Sequence, residues 1–184
     1  MENSYLKNRR TKDIVNKKLR FVLLITLALY ASCAQNTSAS SMRAFGATIT
    51  AVIDGDTVKV KFVGTIPAGC APEERVRLIG VNTPELSTEI PEYYAQEARD
   101  YTNRWWKAPV KVEIDMSRAT RDVYGRLLAY VYVQDSLEPL NMLLIRNGFA
   151  RYYGNFAFDA ERMKAYAAAE AKAKSQRLGL WQRL

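Results

Sequence analysis

Apolar and polar residues alternate strictly between positions 57 and 63. Val58, Val60 and Phe62 share one face, and Lys59 and Lys61 share the other. A period of two marks a strand with one buried face. The same alternation returns at 110–115, where Val110, Val112 and Ile114 interleave with Lys111, Glu113 and Asp115. Segments 47–53, 75–81 and 126–133 are rich in β-branched and aromatic residues and read as three further strands. Within 75–81 the alternation directs Arg77 away from the face that carries Val76 and Leu78. Helical spacing appears at 93–107, with Tyr94, Ala98, Tyr101 and Trp105 along one side, and Pro109 stops it. A second helix is expected at 139–147, starting from Pro139, with Leu140, Leu143 and Leu144 buried and Gly148 just past its end. Asp159 is placed to cap a third helix reaching residue 176, after which Trp181 should fold back onto the body.

Three strands, a helix, two strands and two helices describe an α+β domain. Five strands interrupted by a helix after the third suit a five-stranded β-barrel, partly open, of the oligonucleotide/oligosaccharide-binding type (the OB-fold) with three α-helices. No internal repeat is present, and no segment signals a dimer, so a monomer is expected.

The region ahead of the barrel differs in kind. A basic stretch ends at Lys17-Lys18-Leu19-Arg20, an apolar run covers 21–30, and Ala31-Ser32-Cys33-Ala34 is small and weakly polar. These are the three parts of an export signal. The run is about half of the ~20 apolar residues that a membrane span takes. Residues 1–34 are therefore assigned as a signal peptide, 35–43 as a Ser/Thr/Asn-rich linker and 44–184 as the folded domain. Cys33 is a candidate lipidation site and hence a possible point of membrane attachment. The competing reading is ordinary cleavage near Ala31 or Ala34 with Cys33 incidental. Either way the product is exported, to the medium, the periplasm or a membrane surface.

Charge looks informative and is not. The chain has a formal net charge of +8. Residues 1–34 hold seven Lys/Arg against two acids, leaving twenty against seventeen in the remainder. Most of the basicity thus belongs to the export segment, and overall charge says little about nucleic acid. Histidine is absent. That excludes His-ligated zinc, Ser-His-Asp triads and imidazole bases. The two cysteines, Cys33 and Cys70, cannot form a disulfide framework. Cys70 lies in a Pro- and Gly-containing turn.

The chemistry concentrates in two stretches. Asp54-Gly55-Asp56-Thr57 lies between the first two strands, and Asn82-Thr83-Pro84-Glu85 follows the third. Asp-Gly alone is an ordinary turn. A second carboxylate beside Asn82, Thr83 and Glu85 goes beyond a turn. It gathers hard oxygen ligands suited to Ca²⁺, with no soft or nitrogenous competitor. Arg77 and Arg126 add guanidinium groups, which stay protonated and match phosphoryl oxygens bidentately. Together these parts suit hydrolysis of a phosphodiester.

The motifs Val52-Ile53-Asp54-Gly55-Asp56-Thr57-Val58, Val76-Arg77-Leu78-Ile79-Gly80-Val81-Asn82-Thr83-Pro84-Glu85 and Tyr124-Gly125-Arg126-Leu127-Leu128-Ala129-Tyr130 resemble the staphylococcal nuclease (thermonuclease) family. Weaker matches follow at 141–150 and 177–181, in the family's order, so the resemblance covers residues 44–183. It implies a Ca²⁺-dependent nuclease acting on DNA and RNA and leaving 3′-phosphate ends. Asp56, Asn82 and the main-chain carbonyl of Thr83 would hold the ion, with Asp54 reaching it through water. Glu85 would orient or deprotonate the attacking water. Arg77 and Arg126 would bind the phosphate and stabilise its transition state, and Tyr124 would contact phosphate or base.

Two positions depart from the family pattern. Asn82 stands where Asp is usual, so one negative charge is missing and weaker Ca²⁺ binding is expected. Val123 stands where the best-known member is basic. Tyr152, Tyr153 and Phe156 fall where the family has tyrosines near the nucleotide, and core packing is the favoured reading for them. A noncatalytic nucleic-acid-binding module is the alternative. Retention of Asp56, Glu85, Arg77 and Arg126 argues against it. A calcium-stabilised module for some other ligand is a third reading, since the barrel alone does not set function.

Overall fold

The computed structural model describes residues 41–134, 136–156 and 158–183. The assigned signal peptide, with Cys33, lies outside the described residues. Among the described residues seven strands form: β1 (Met42–Asp54), β2 (Thr57–Phe62), β3 (Glu73–Leu78), β4 (Val81–Asn82), β5 (Pro109–Asp115), β6 (Leu127–Val133) and β7 (Arg151–Tyr152). The helices are α1 (Ala95–Asn103), α2 (Leu140–Arg146) and α3 (Ala160–Ser175), followed by a 3₁₀ turn at Gly179–Arg183.

Five strands close into a barrel in the order β1-β2-β3-β6-β5. The expectation of a partly open barrel is corrected by the length of β1. It runs 13 residues, long enough for its first half to pair with β5 (Met42↔Asp115 to Thr48↔Pro109) while its second half pairs with β2. A register shift between Ile49 and Ala51 bends the strand from one partner to the other. Met42 and Arg43, assigned to the linker, are thus strand residues, and the folded domain starts before Ala44. Their sequence lacks alternation because this part of β1 is largely exposed.

The apolar faces read from the alternation fill the barrel. Val58, Val60, Val76, Leu78, Val112, Ile114, Ala129 and Val131 are fully buried. The expected third strand is split. Gly80 takes a positive φ and turns the chain, so Val81 and Asn82 leave β3 and pair instead with Tyr152 and Arg151 of β7. This two-stranded ribbon was not foreseen, being too short to show a period. Asn141 of α2 anchors the turn from inside. It accepts from Val131 N–H at 3.1 Å and donates to the carbonyls of Ile79 at 2.8 Å and Ala129 at 3.2 Å.

The helices match expectation in place and are shorter at their ends. Asp159 caps α3, accepting from Arg162 N–H at 2.9 Å. Trp181 is buried against the C-terminal end of α3. There Gly148 and Gly179 lie back to back, and Leu180 N–H donates to the Gly148 carbonyl at 2.8 Å.

Candidate active site

The turn from β1 to β2 is an Asx turn in which Asp56 N–H donates to Asp54 Oδ1 at 3.1 Å. Helix α1 steadies it, because the buried Thr102 hydroxyl donates to the Gly55 carbonyl at 2.7 Å. The loop after β4 lies directly on Gly55. A Cβ at that position would sit 2.6 Å from Thr83 Cγ2. Only glycine lets the two segments close up, and Thr83 N–H then reaches Asp56 Oδ2 at 3.0 Å.

Strand pairing delivers the next group. Thr57 faces Arg77 across β2 and β3, and Arg77 faces Leu128 across the parallel pair β3 and β6. The turned-back loop covers the outward side of β3, so Arg77 is buried where alternation alone would leave it in solvent. Its guanidinium pairs with Asp56 Oδ2 at 3.1 Å and donates to the carbonyls of Leu78 at 2.9 Å and Val81 at 2.7 Å, and to Asn82 Oδ1 at 3.2 Å. Burial pushes the Asp56 carboxyl up to about 7, against the pull of Arg77. One guanidinium does not replace the lost hydration of this carboxylate.

That deficit bears on the metal. The donors beside Asp56 are the Asn82 amide oxygen and the Thr83 carbonyl, all hard, next to a buried carboxylate short of positive charge. These residues fit Ca²⁺, whose ligands are oxygens. They fit it sparingly. Among the described residues no three carboxylates converge as a metal-binding group, so water and substrate would have to complete the coordination.

Arg126 enters from the turn before β6. Asp122 organises that turn, with Oδ1 accepting from Tyr124 N–H at 3.0 Å and Arg126 N–H at 2.9 Å. Its Oδ2 takes Arg126 Nε at 2.7 Å. The free edge of Arg126 then donates to the Thr57 hydroxyl at 3.3 Å, which donates in turn to Asp56 Oδ1 at 3.1 Å. Glu85 sits on the loop beyond Thr83, with its own N–H held by Glu92 Oε2 at 3.2 Å. Lost hydration raises its carboxyl above the usual range. The Asp54 charge adds to this, while Arg77 and Arg126 oppose it.

Arg77, Asn82, Glu85 and Arg126 open onto one cleft of about 570 Å³. Tyr124 stands at its rim, strongly exposed, with Arg126 lying 5.3 Å from its ring centre. Tyr153 and Phe156 form another part of the wall, packed edge to face at 5.4 Å. The expectation of core packing holds for Tyr152, which packs on Phe158. Phe156 serves both core and cleft, and Tyr153 belongs to the cleft.

The structure thus brings Asp54, Asp56, Arg77, Asn82, Thr83, Glu85, Tyr124 and Arg126 to one end of the barrel. Asp122 and Thr57, which join the arginines to the carboxylates, escaped the sequence reading. Asp122 carried a signal, because Asp three residues before Gly in a polar turn is a strong Asx-turn former. Thr57 carried none beyond its place next to Asp56.

Comparison with known proteins follows the same line. A model of the staphylococcal nuclease homologue family matches residues 75–183. The thermonuclease of Staphylococcus intermedius is 32% identical over 148 residues, spanning 79% of this chain and 82% of that protein. The thermonuclease of Staphylococcus hyicus is 33% identical over 135 residues, 71% of this chain and 72% of its own. The SPbeta prophage-derived endonuclease YokF of Bacillus subtilis is 30% identical over 138 residues, 73% of this chain and 43% of its own. With its OB-type barrel and with the arginines and carboxylates of its motifs gathered at one cleft, the chain belongs to the staphylococcal nuclease family.

Proposed function

We propose that this nuclease hydrolyses phosphodiester bonds of DNA and RNA with the help of one Ca²⁺, leaving 3′-phosphate ends. The observation that carries this is the opening of two guanidinium groups and the Glu85 carboxyl onto the same cleft beside Asp56. Asp56, Asn82 Oδ1 and the Thr83 carbonyl would hold the ion, with Asp54 supporting it through water. When bound, the ion would supply Lewis-acid charge to a phosphoryl oxygen. Arg77 and Arg126 take the remaining phosphoryl oxygens, which gain negative charge in the transition state. Arg126 is already oriented by Asp122, whereas Arg77 is held by backbone carbonyls and would exchange its Nη2 contacts with Asp56 and Asn82 for the phosphate. Glu85 aligns the attacking water and accepts its proton. Lost hydration raises this carboxyl, which makes it a stronger base than an ordinary one. Water attacks in line and expels the 5′-oxygen, which becomes a hydroxyl by taking a proton from solvent. Tyr124 contacts a neighbouring phosphate or base, and Tyr153 and Phe156 offer rings on which a base stacks.

Cleavage of single-stranded DNA by the purified domain is expected to stop with a calcium chelator and to return with added Ca²⁺. Asn82→Asp should lower the half-activating Ca²⁺ concentration, since affinity at such sites follows the count of charged ligands. Equal half-activation for the two proteins would argue against Asn82 as a ligand. Binding without cleavage in excess Ca²⁺ would replace the nuclease reading of the site with the binding-module one.

Export belongs to the same proposal. The basic stretch, apolar run and small residues of 1–34 support it. Mass spectrometry of the mature N-terminus is expected to show these residues removed at or near positions 31–34. A terminus at Cys33 carrying lipid mass would assign membrane anchoring, an unmodified terminus beyond it would assign release, and retention of 1–34 would overturn export.

A further inference from the structure

Arg121 lines the cleft beside Tyr124 and Arg126, and a third arginine there looks like one more phosphate contact. Its hydrogen bonds say otherwise. Nη2 donates to Glu74 Oε1 at 2.7 Å and Nη1 to Glu74 Oε2 at 3.0 Å, a two-pronged ion pair. The same nitrogens also donate to the Gly69 carbonyl at 3.0 Å and the Gly125 carbonyl at 2.9 Å. Its charge is matched by one carboxylate, and its donors are committed to three chain segments.

The segments matter. Gly69 lies in the loop between β2 and β3, Glu74 is the second residue of β3, and the Gly125 carbonyl belongs to the peptide that leads into Arg126. Glu74 is itself braced by Ala71 N–H at 2.7 Å. Hydrogen bonding from Arg121 holds the Glu74 carboxyl below its ordinary range. Asp122 orients Arg126 from within the turn, whereas Arg121 and Glu74 fix the turn to the barrel from outside. We infer that Arg121 and Glu74 are a positioning pair that sets the Tyr124–Gly125–Arg126 turn for catalysis, and that Arg121 is not a substrate contact. The inference rests on the proposed role of Arg126 at the phosphate.

Glu74→Gln separates the two readings by sign. It removes a negative charge from the cleft and frees Arg121. Were Arg121 a phosphate contact, KM would fall and kcat would hold. As a positioning partner, Glu74 is needed, and kcat should drop about tenfold or more with KM nearly unchanged, since small misplacements of catalytic groups cost this much. Arg121→Lys keeps the charge but loses the fork, and it should reproduce the kcat loss. The salt dependence of KM should not change in either variant, whereas losing a phosphate contact lowers that slope by about one. Neither substitution should lower kcat further in an Arg126→Ala background, because the pair acts through Arg126.

A fall in KM for Glu74→Gln, full activity of Arg121→Lys, or an undiminished kcat loss in the Arg126→Ala background would each overturn the inference. If Arg126→Ala alone leaves kcat intact, the role of Arg126 fails first, and that outcome is read independently of the Glu74 result. Circular dichroism melts confirm that each variant is folded before its kinetics are compared.

Discussion

Glu85→Gln is expected to lower kcat for single-stranded DNA at least about a hundredfold while leaving the melting temperature close to the starting value. General acid-base groups contribute about 10²–10⁴ in rate. The amide keeps the shape and can still accept a hydrogen bond, but it cannot take a proton. Stability should be spared, because the Glu85 side chain is exposed and makes no side-chain hydrogen bond or ion pair seen among the described residues. Arg126→Ala should cost about 10²–10³ as well, the usual penalty for deleting one preorganised donor. It should also cost stability, since it strands the nearly buried Asp122 carboxylate. The two together give a signature. Steady-state kinetics and thermal melts should show Glu85→Gln as catalytic only and Arg126→Ala as catalytic and structural. A Glu85→Gln protein with more than a tenth of the original kcat would remove Glu85 from the mechanism.

The largest effect on stability is expected far from the cleft, at Gly179→Ala. Gly179 has φ 54°, and a Cβ there would lie 2.7 Å from the Gly148 carbonyl carbon. A left-handed conformation costs a non-glycine residue about 1–2 kcal/mol. Overpacking against backbone, which cannot swing aside like a side chain, adds about 1–3 kcal/mol. A total of roughly 2–5 kcal/mol is a large share of the roughly 5–15 kcal/mol that holds a domain together. Denaturant titration should show it as a lower midpoint. Trp181, two residues on and flanked by Lys174 and Arg151, gives the fluorescence signal. A stability loss below about 1 kcal/mol would mean that the 3₁₀ turn relaxes freely. Should Gly179→Ala leave stability intact, Gly148→Ala gives a second test of the contact, since its Cβ would meet the Leu178 backbone.

The barrel strands were legible because Val58, Val60, Phe62, Val110, Val112 and Ile114 each face a dry interior from a strand whose other side is wet. Where that contrast is missing, legibility stops. Met42–Gly46 is largely exposed and shows no alternation, so Met42 and Arg43 read as linker. Val81 and Asn82 form too short a strand to show any period. The site was legible as a set of residue types, since Asp56, Asn82, Thr83 and Glu85 sit within two short motifs. Its wiring was not. The covering of Arg77 depends on the Gly80 turn, the nearness of Thr83 to Asp56 on the missing Cβ of Gly55, and the aim of Arg126 on Asp122. Each is a contact between side chain and backbone that only the folded path creates.

The double use of β1 has a further consequence. A sheet edge is a row of unpaired N–H and C=O groups that can recruit a strand from another molecule. Because one long strand serves both β2 and β5, the barrel has no such edge. The safeguard depends on Met42 to Thr48, the residues that bond to β5. Proteolysis just ahead of Met42 leaves it whole. Proteolysis a few residues later bares β5 and turns a self-contained barrel into a chain with an adhesive flank.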